Sequence, residues 1–543
     1  MLRHGGTAVR LGTAPDLHDC LQEGRITSNA LDYVATSFAS FRKAMPTRPR
    51  QDARIQGAHP TRAAQPKERN IVEMASGTGP ASTDHSAPQP RFGRTWYLGI
   101  VVLALLTRLC VFAINSSHPV PFMLAPDSHG YISAGESLRS HFAILDGAGA
   151  PTWSRVPGFP LLLALCFKTG IASPDHIRGA ILVQILLGSF GVAMAARTTH
   201  LLAGSTPAAW VGVLLAVEPS SIAYSNMLLS ETLYTFMLLA ALMACWRWLR
   251  SSSLASLALF AALVGTLPLI RPIALYLPPL LSLIIGLDRR SARRWTPALL
   301  FVVISSLPAA AWCGRNYYYL GSAELDRIGP LAQAIYARNI ELEAGAPATP
   351  GPEAQPWEPE FAKQRGLTVP EAIRVQKQYF WRTVAAHPAG AVAHLLVTAV
   401  LTLGVPSGLL PLQLLDNPPG YEEGSFLGRL AWLTQLGPLS GIIILGMVIS
   451  VGGFGLIPIV VLRARRWDPV KKRLVILIVL LVIYHLSFAS FLRQQGDRYR
   501  APIVPLLAMT LVLGLTRKPG GTARSQADMK FPIEHRVPRR DLA

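Results

Sequence analysis

The sequence has little negative charge and few cysteines. Of its 543 residues, 31 are Asp or Glu and 51 are Lys or Arg, which gives a formal net charge of +20. The cysteines show no CxxC spacing, and several fall inside apolar runs, so they predict neither a disulfide framework nor a zinc site. They are Cys20, Cys110, Cys166, Cys245 and Cys313.

Motifs that hold nucleotides or mark hydrolases are also missing. The chain contains no GxxxxGK[ST], no HExxH, no GxSxG and no GxGxxG placed after a strand. No segment outside the apolar runs has the length of a doubly wound nucleotide-sugar domain, which is on the order of 100 to 200 residues. A phosphate-ester substrate would therefore reach this protein from the membrane and not from the cytosol.

What the sequence has in abundance is apolar residues. Half of the chain is hydrophobic, 15% is charged, and the mean hydropathy is +0.34, a composition typical of a polytopic membrane protein. Arg and Lys collect in short clusters between apolar runs, as in cytoplasmic loops, and the basic and aromatic interleaving of a nucleic-acid surface is absent. We predict an all-α polytopic membrane protein, a bundle of about 10–11 transmembrane helices.

The chain divides into three predicted parts. Residues 1–94 form a basic, disordered cytoplasmic tail, within which Met74 is an alternative start of translation. Residues 95–515 form the transmembrane domain, and residues 516–543 form a second basic cytoplasmic tail.

The basic clusters also predict which polar segments are external. A first span over 96–114 leads to an external loop over 115–177, in which 157–168 is too short to cross and is predicted as a helix on the outer membrane surface. A second external region is a subdomain over 314–386. Residues 389–411 are apolar enough to span, yet a crossing there would place later basic clusters outside, so we predict a re-entrant or membrane-surface helix.

The first external loop carries many ionisable groups close to the membrane, among them Asp127, Tyr131 and Arg155. Such groups are costly to keep near hydrocarbon, so they indicate a functional site, and the alternative is an ordinary solvated loop. The predicted topology brings further polar groups to the same face. These are Ser230-Glu231, Arg271-Pro272, Arg315-Asn316 and Arg498-Tyr499-Arg500.

These residue types suit the transfer of a group from a phosphate. A carboxylate can take a proton from an attacking hydroxyl. Arginines can hold a phosphate while its negative charge grows. Glu218-Pro219, inside a predicted span, is either a buried polar kink or a cavity acid.

Several segments, in their order along the chain, resemble the GT-C superfamily of integral-membrane glycosyltransferases. The similar enzymes are the bacterial relatives of dolichyl-phosphate-mannose protein mannosyltransferases and the lipid A aminoarabinose transferase, and the likeness covers residues 96–515. The segments are PDSHGYISAGESL, RVPGFPLLLAL, SNMLLSETLYTFMLLAAL, WCGRNYYYLG and DRYRAPIVPLLAM. The resemblance implies a GT-C-like bundle with juxtamembrane helices in the first external loop.

The resemblance also implies roles for individual residues. Asp127 matches the catalytic acid of the first external loop, and Arg155 matches a contact to the carrier phosphate. Many relatives have two adjacent acids where this chain has Asp127-Ser128, which weakens the case for a metal site. The remaining predicted substrate-binding residues are Tyr131, Glu231, Arg271, Arg498 and Arg500.

Simpler interpretations of these residues stay open at this point. Arg155 can be an interfacial arginine that extends its charged end to water. Glu231 can be an acid that stabilises a helix N-terminus, with Ser230 as its cap. One of Arg498 and Arg500 is expected to contact phosphate, and the other to be a surface anchor.

The predicted function is transfer of a hexose or pentose, with inversion, from a polyprenyl-phosphate carrier to a lipid, glycan or protein acceptor. The site would face the periplasm of a bacterial inner membrane, with the N-terminus in the cytoplasm. No cofactor is predicted, a divalent metal is not supported, and no nucleic-acid partner is expected. The alternative is a transporter or flippase for a lipid-linked glycan or small molecule. The chain shows no convincing internal repeat and its charges gather at one interface, which favours the enzyme.

Overall fold

A computed structural model of the protein describes residues 94–117, 123–146, 149–166, 173–286, 295–346, 356, 361–406, 409–415, 426–489 and 496–516. These residues all belong to one compact unit of the chain. The predicted tails lie almost wholly outside the described residues.

Within these ranges the regular secondary structure is helical, apart from one isolated antiparallel bridge between Leu145 and Pro151. The first ten α-helices are α1 (Arg94–Ser117), α2 (Pro126–His141), α3 (Gly158–Cys166), α4 (Pro174–Ala203), α5 (Ser205–Ala216), α6 (Pro219–Ser225), α7 (Glu231–Ser251), α8 (Leu254–Ile270), α9 (Leu277–Gly286) and α10 (Trp295–Leu320).

The second half of the chain contributes eleven described α-helices. They are α11 (Ile328–Glu343), α12 (Phe361–Gln364), α13 (Val369–Ala386), α14 (Pro388–Gly404), α15 (Leu409–Leu414), α16 (Phe426–Leu433), α17 (Leu439–Gly455), α18 (Ile457–Ala464), α19 (Pro469–Ala489), α20 (Gly496–Arg500) and α21 (Val504–Leu515). Short 3₁₀ turns occupy Pro272–Ala274, Thr434–Leu436 and Ala501–Ile503.

The helices confirm a polytopic all-α membrane protein. In the described ranges, five helices are long and apolar enough to cross a membrane, and up to eight segments are if each bent pair of helices forms one span. Two further apolar helical segments, Leu254–Ile270 and Pro272–Gly286, are shorter. The predicted ten or eleven spans include the two short segments and two of the bent pairs. The third pair, Val369–Ala386 with Pro388–Gly404, lies in the predicted external subdomain and in the predicted re-entrant or membrane-surface segment.

Three of the apolar segments are broken by proline. The helix pairs bend by 54° before α6, by 101° before α14 and by 46° before α18, and in each pair a proline occupies the first turn of the second helix. Proline cannot supply the N–H that continues a helix and disfavours helical geometry in the residue before it. The single span predicted over 207–228 is therefore two helices, and the second of them ends at Ser225.

The polar regions are also more helical than the sequence predicts. Helix α10 continues to Leu320, seven residues into the subdomain predicted over 314–386, and α11 and α13 pack together in the rest of that subdomain. The segment predicted as 389–411 consists of α14 and the start of α15, after the 101° bend. Its position relative to the membrane stays a prediction. The helix predicted over 157–168 is present as α3 as far as Cys166, and residues 167–168 lie outside the described residues. Its position on the membrane surface stays a prediction.

Candidate active site

Five ionised side chains meet where several helices end, and we call them the charged cluster: Asp127, Arg155, Glu231, Arg271 and Arg498. Arg155 Nη2 donates to Asp127 Oδ1 at 2.7 Å, and Arg498 Nη1 donates to Asp127 Oδ2 at 2.5 Å. The Asp127 side chain is still 30% exposed. Both oxygens of one accessible carboxylate are thus held by guanidiniums from distant parts of the chain.

Glu231 joins Arg271 and Arg498 within the charged cluster. Its side chain is 1% exposed, and its Oε1 accepts a hydrogen bond from Arg498 Nε and forms an ion pair with Arg271 Nη1 at 2.8 Å. Glu231 is the first residue of α7, where a carboxylate is stabilised by the helix dipole. Its other oxygen, Oε2, is buried without a hydrogen-bond partner among the described residues.

The first turn of α2 fixes Asp127 in place. Pro126 begins the helix, as proline commonly does at a first helical position. The fully buried Ser128 accepts a hydrogen bond from Ala125 N at 2.9 Å, and its Oγ donates to Leu228 O at 2.8 Å. Because Leu228 lies just before α7, Ser128 ties the helix of Asp127 to the helix of Glu231.

Arg155 is positioned by contacts with the same helix α2. Its guanidinium lies over the Tyr131 ring, with Cζ 5.1 Å from the ring centroid. A Cβ atom at residue 130 would lie 2.8 Å from Arg155 Nε, so Gly130 leaves the room that this side chain needs. Tyr131 OH is 3.2 Å from Ser230 Oγ, which places the tyrosine between Arg155 and the start of α7.

The loop that carries Arg155 is held by the end of α10. Arg315 Nη1 donates to Thr152 O at 2.9 Å, and Arg315 Nη2 donates to Ile144 O at 3.1 Å. Arg315 is thus occupied by backbone carbonyls and supports the loop. It does not join the charged cluster.

Arg271 and Arg498 approach from two other segments. Arg271 directly follows α8, and its Cζ lies 5.5 Å from the ring centroid of Tyr499. Arg498 lies in the short helix α20 and contacts both carboxylates of the cluster. One arginine therefore bridges Asp127 and Glu231, which are 104 positions apart in the sequence.

The electrostatic surroundings keep Asp127 ionised. Burial acts to raise the pKa of Asp127, but the charges of Arg498 and Arg155, together with their hydrogen bonds, leave the pKa below its ordinary value. Burial raises the pKa of the Tyr131 hydroxyl, and the negative charge of Glu231 adds to that effect. The carboxylate is charged and the phenol is neutral at neutral pH.

The structure brings six of the seven predicted site residues together, and Arg500 is the exception. Its side chain is 1% exposed, and its Nη1 donates to Leu403 O at 2.9 Å and to Val405 O at 2.7 Å at the end of α14. The alternative that this arginine is a surface anchor does not agree with its burial. Arg500 is buried and satisfies carbonyls at a helix C-terminus.

Two residues near the cluster were missed by sequence reasoning. The sequence marks Ser128 only as the residue that stands where many relatives have a second acid. The Pro-Asp-Ser start of a helix could have indicated its capping role. Asp326 is 5% exposed, accepts a hydrogen bond from Gly329 N at 3.0 Å and feels the charge of Arg155. Burial raises the pKa of Asp326 to about 6. No sequence pattern marked it.

Within the described ranges, no group of three or more His, Cys, Asp or Glu side chains is placed to hold a metal ion.

Comparisons with known proteins identify structural neighbours only. No family model and no curated protein matches the sequence. The chain is similar to the crystal structure of ArnT from Cupriavidus metallidurans bound to undecaprenyl phosphate, with 16% identity over 77% of this chain and 77% of that chain and a TM-score of 0.33. It is also similar to the apo structure of the same protein, with 14% identity over 76% and 78% and a TM-score of 0.31.

These neighbours belong to the group that the sequence motifs resemble, the lipid A aminoarabinose transferase of the GT-C superfamily. Identities and scores this low say nothing about which bond the present chain makes or breaks.

Proposed function

We propose that the protein is a membrane glycosyltransferase that moves a sugar from a polyprenyl-phosphate carrier to an acceptor. The observation that carries the proposal is the Asp127 carboxylate, held between the guanidiniums of Arg155 and Arg498 at the ends of apolar helices. A base and a set of phosphate ligands are the two components that such a transfer needs.

The charge of the cluster suits a lipid phosphate. Three guanidiniums and two carboxylates leave a net charge of +1 when all five groups are ionised. Arg155 and Arg498 are 15% and 16% exposed, so their guanidiniums are accessible while being partly shielded from water. Partial shielding strengthens hydrogen bonds between guanidinium and phosphate.

Asp127 is the proposed general base. It accepts the proton of the acceptor hydroxyl while that oxygen attacks the anomeric carbon of the donor sugar. A bond forms between the acceptor oxygen and the anomeric carbon, and the bond from that carbon to the phosphate oxygen breaks. The electron pair remains on the phosphate, where Arg155 and Arg498 stabilise the increased negative charge. Attack from the face opposite the phosphate inverts the anomeric configuration.

The orientation of α7 supports a periplasmic site. This helix begins at Glu231, inside the charged cluster, and carries Arg250 in its last turn. Its 21 residues correspond to roughly 30 Å, the thickness of the hydrocarbon. Because arginines concentrate at cytoplasmic ends, the cluster would lie at the opposite, periplasmic end of the bundle in a bacterial inner membrane.

The test is release of the carrier by purified protein in detergent micelles. Undecaprenyl-phosphate-linked hexoses and pentoses are supplied with candidate acceptors, and free undecaprenyl phosphate is measured by mass spectrometry. A transporter would release none in micelles, because there is no bilayer to cross. If no donor is consumed under any of these conditions, the proposed activity is wrong.

Removing the base gives the residue-level test. Asp127→Asn is expected to lower the transfer rate by on the order of 10² to 10⁴ in a protein that remains folded. Glu136→Gln is the matched control, because it removes one negative charge from the same helix α2 outside the cluster. Near wild-type transfer by Asp127→Asn would refute the role of Asp127.

A further inference from the structure

The base of the proposed reaction is occupied in this structure. Arg155 Nη2 donates to one oxygen of Asp127 and Arg498 Nη1 donates to the other. A carboxylate that accepts two charge-assisted hydrogen bonds is a weak base, because protonation would remove the negative charge that strengthens both of them. Asp127 in this state is poorly prepared to take a proton from an alcohol.

The groups that occupy Asp127 are the same guanidiniums that the proposed function assigns to the donor phosphate. A phosphate and the Asp127 carboxylate therefore compete for Arg155 and Arg498. Arg155 also has an unused donor, because its Nε is buried without a hydrogen-bond partner among the described residues. The arginine can thus turn toward an arriving anion and gain a hydrogen bond that it lacks here.

We propose that the donor phosphate activates the base by drawing Arg155 and Arg498 away from Asp127, so that proton abstraction begins only after the lipid-linked sugar has bound. This inference rests on the proposed function and adds the order of events at the same site. The donor binds first, Asp127 is released, and the acceptor hydroxyl is then deprotonated.

Both arginines have other contacts that keep them in place during such an exchange. The Nε of Arg498 stays hydrogen-bonded to the buried Glu231. The guanidinium can therefore rotate Nη1 away from Asp127 without leaving the cluster. Arg155 lies over the Tyr131 ring and packs closely against Gly130. Neither guanidinium depends on Asp127 alone for its position.

The exchange predicts that Asp127 opposes phosphate binding. With Asp127 neutral, the net charge of the cluster rises from +1 to +2, and two guanidiniums lose their ion pair with Asp127. A residue that acts only as a base would not produce this effect. The affinity for the carrier is thus a readout separate from turnover.

The experiment measures the affinity of undecaprenyl phosphate for the purified full-length protein in detergent by isothermal titration calorimetry. Asp127→Asn is expected to bind at least about tenfold more tightly than wild type, which corresponds to about 1.4 kcal/mol. Asp127→Ala should show the same direction, so the result does not depend on how one variant folds. Glu136→Gln, which changes the charge of α2 by the same amount, should bind like wild type.

The outcomes separate the two proposals. Equal or weaker binding of undecaprenyl phosphate by both Asp127 variants, with transfer lost, overturns the activation of the base and leaves the transferase intact. Transfer at the wild-type rate by Asp127→Asn overturns the transferase mechanism itself. Equal tightening by Glu136→Gln would show a general charge effect and would also overturn the proposed competition.

Discussion

Two regions of this molecule bury opposite charges, and they do so in different ways. In the charged cluster, guanidiniums and carboxylates from distant segments are each other's partners. In the bundle interior, Glu218 is fully buried and accepts hydrogen bonds from Ser220 N at 3.1 Å and Ser221 N at 2.6 Å. The nearby Arg108, 1% exposed, donates to Ser225 Oγ at 3.1 Å and to Ala104 O at 3.0 Å.

The two regions differ in the kind of group that pairs with each buried charge. Glu218 is the N-cap of α6, and its side chain accepts hydrogen bonds from the backbone N–H groups two and three residues later. Its partners are therefore present as soon as the local chain folds. The partners of Asp127 are two side chains that can rotate and accept another anion. A buried charge next to hydrocarbon indicates function only when its partners are exchangeable, and the Glu218-Pro219 segment is accordingly a capped break between helices.

Among the changes that compare exchangeable partners with backbone partners, the largest effect is expected at the two arginines of the DRYR segment. Arg498→Ala removes a proposed phosphate ligand and should lower transfer by on the order of 10² to 10³. Arg500→Ala removes the donor to the carbonyls at the end of α14 and should mainly lower the melting temperature in detergent. Transfer per folded molecule that falls equally in both variants would contradict the distinction between exchangeable and backbone partners.

Asp326 lies close to Arg155, and replacing it tests whether it belongs to the charged cluster. Its carboxylate faces the backbone N–H groups of Ile328 and Gly329 and the charges of Arg155 and Glu324. Burial raises its pKa to about 6, above the unfolded value near 3.8. Folding therefore favours its protonated form, and the stability it confers is complete below about pH 4 and is lost as pH rises through about 6.

Replacing Asp326 should remove this pH dependence. Asp326→Asn is expected to increase the free energy of unfolding at pH 8 by no more than about 2 to 3 kcal/mol, because asparagine keeps a capping oxygen without the charge. The measurement is thermal unfolding in detergent between pH 4 and pH 8. A loss of stability in Asp326→Asn at pH 8 would mean that the ionised carboxylate stabilises Arg155 and belongs to the cluster.

The smallest effect is expected at Glu218. Glu218→Gln keeps one acceptor oxygen for the start of α6 and should cost about 1 kcal/mol of stability. Transfer should stay within about twofold of wild type, since no hydrogen bond or ion pair among the described residues joins Glu218 to the charged cluster. A large loss of transfer in a variant that melts normally would place Glu218 in the functional site after all.

Most of the helical framework could be predicted from the sequence. The runs that became α1, α4, α7 and α10 are apolar and long, so no other secondary structure satisfies their backbone groups in hydrocarbon. The breaks were harder to predict, because proline at Pro219 could either kink a span or end one. The packing of neighbouring helices decides between these outcomes.

The sequence by itself determined that the chain is a helical membrane protein and that its polar groups collect at helix ends, because apolar segments and charged residues have opposite costs in a bilayer. Only the tertiary structure decided which of those groups meet. Arg498 and Arg500 lie two residues apart in a helix, so their side chains project roughly 200° apart, one toward Asp127 and the other toward α14. Which direction is functional depends on neighbours about a hundred or more residues away, and no local pattern records them.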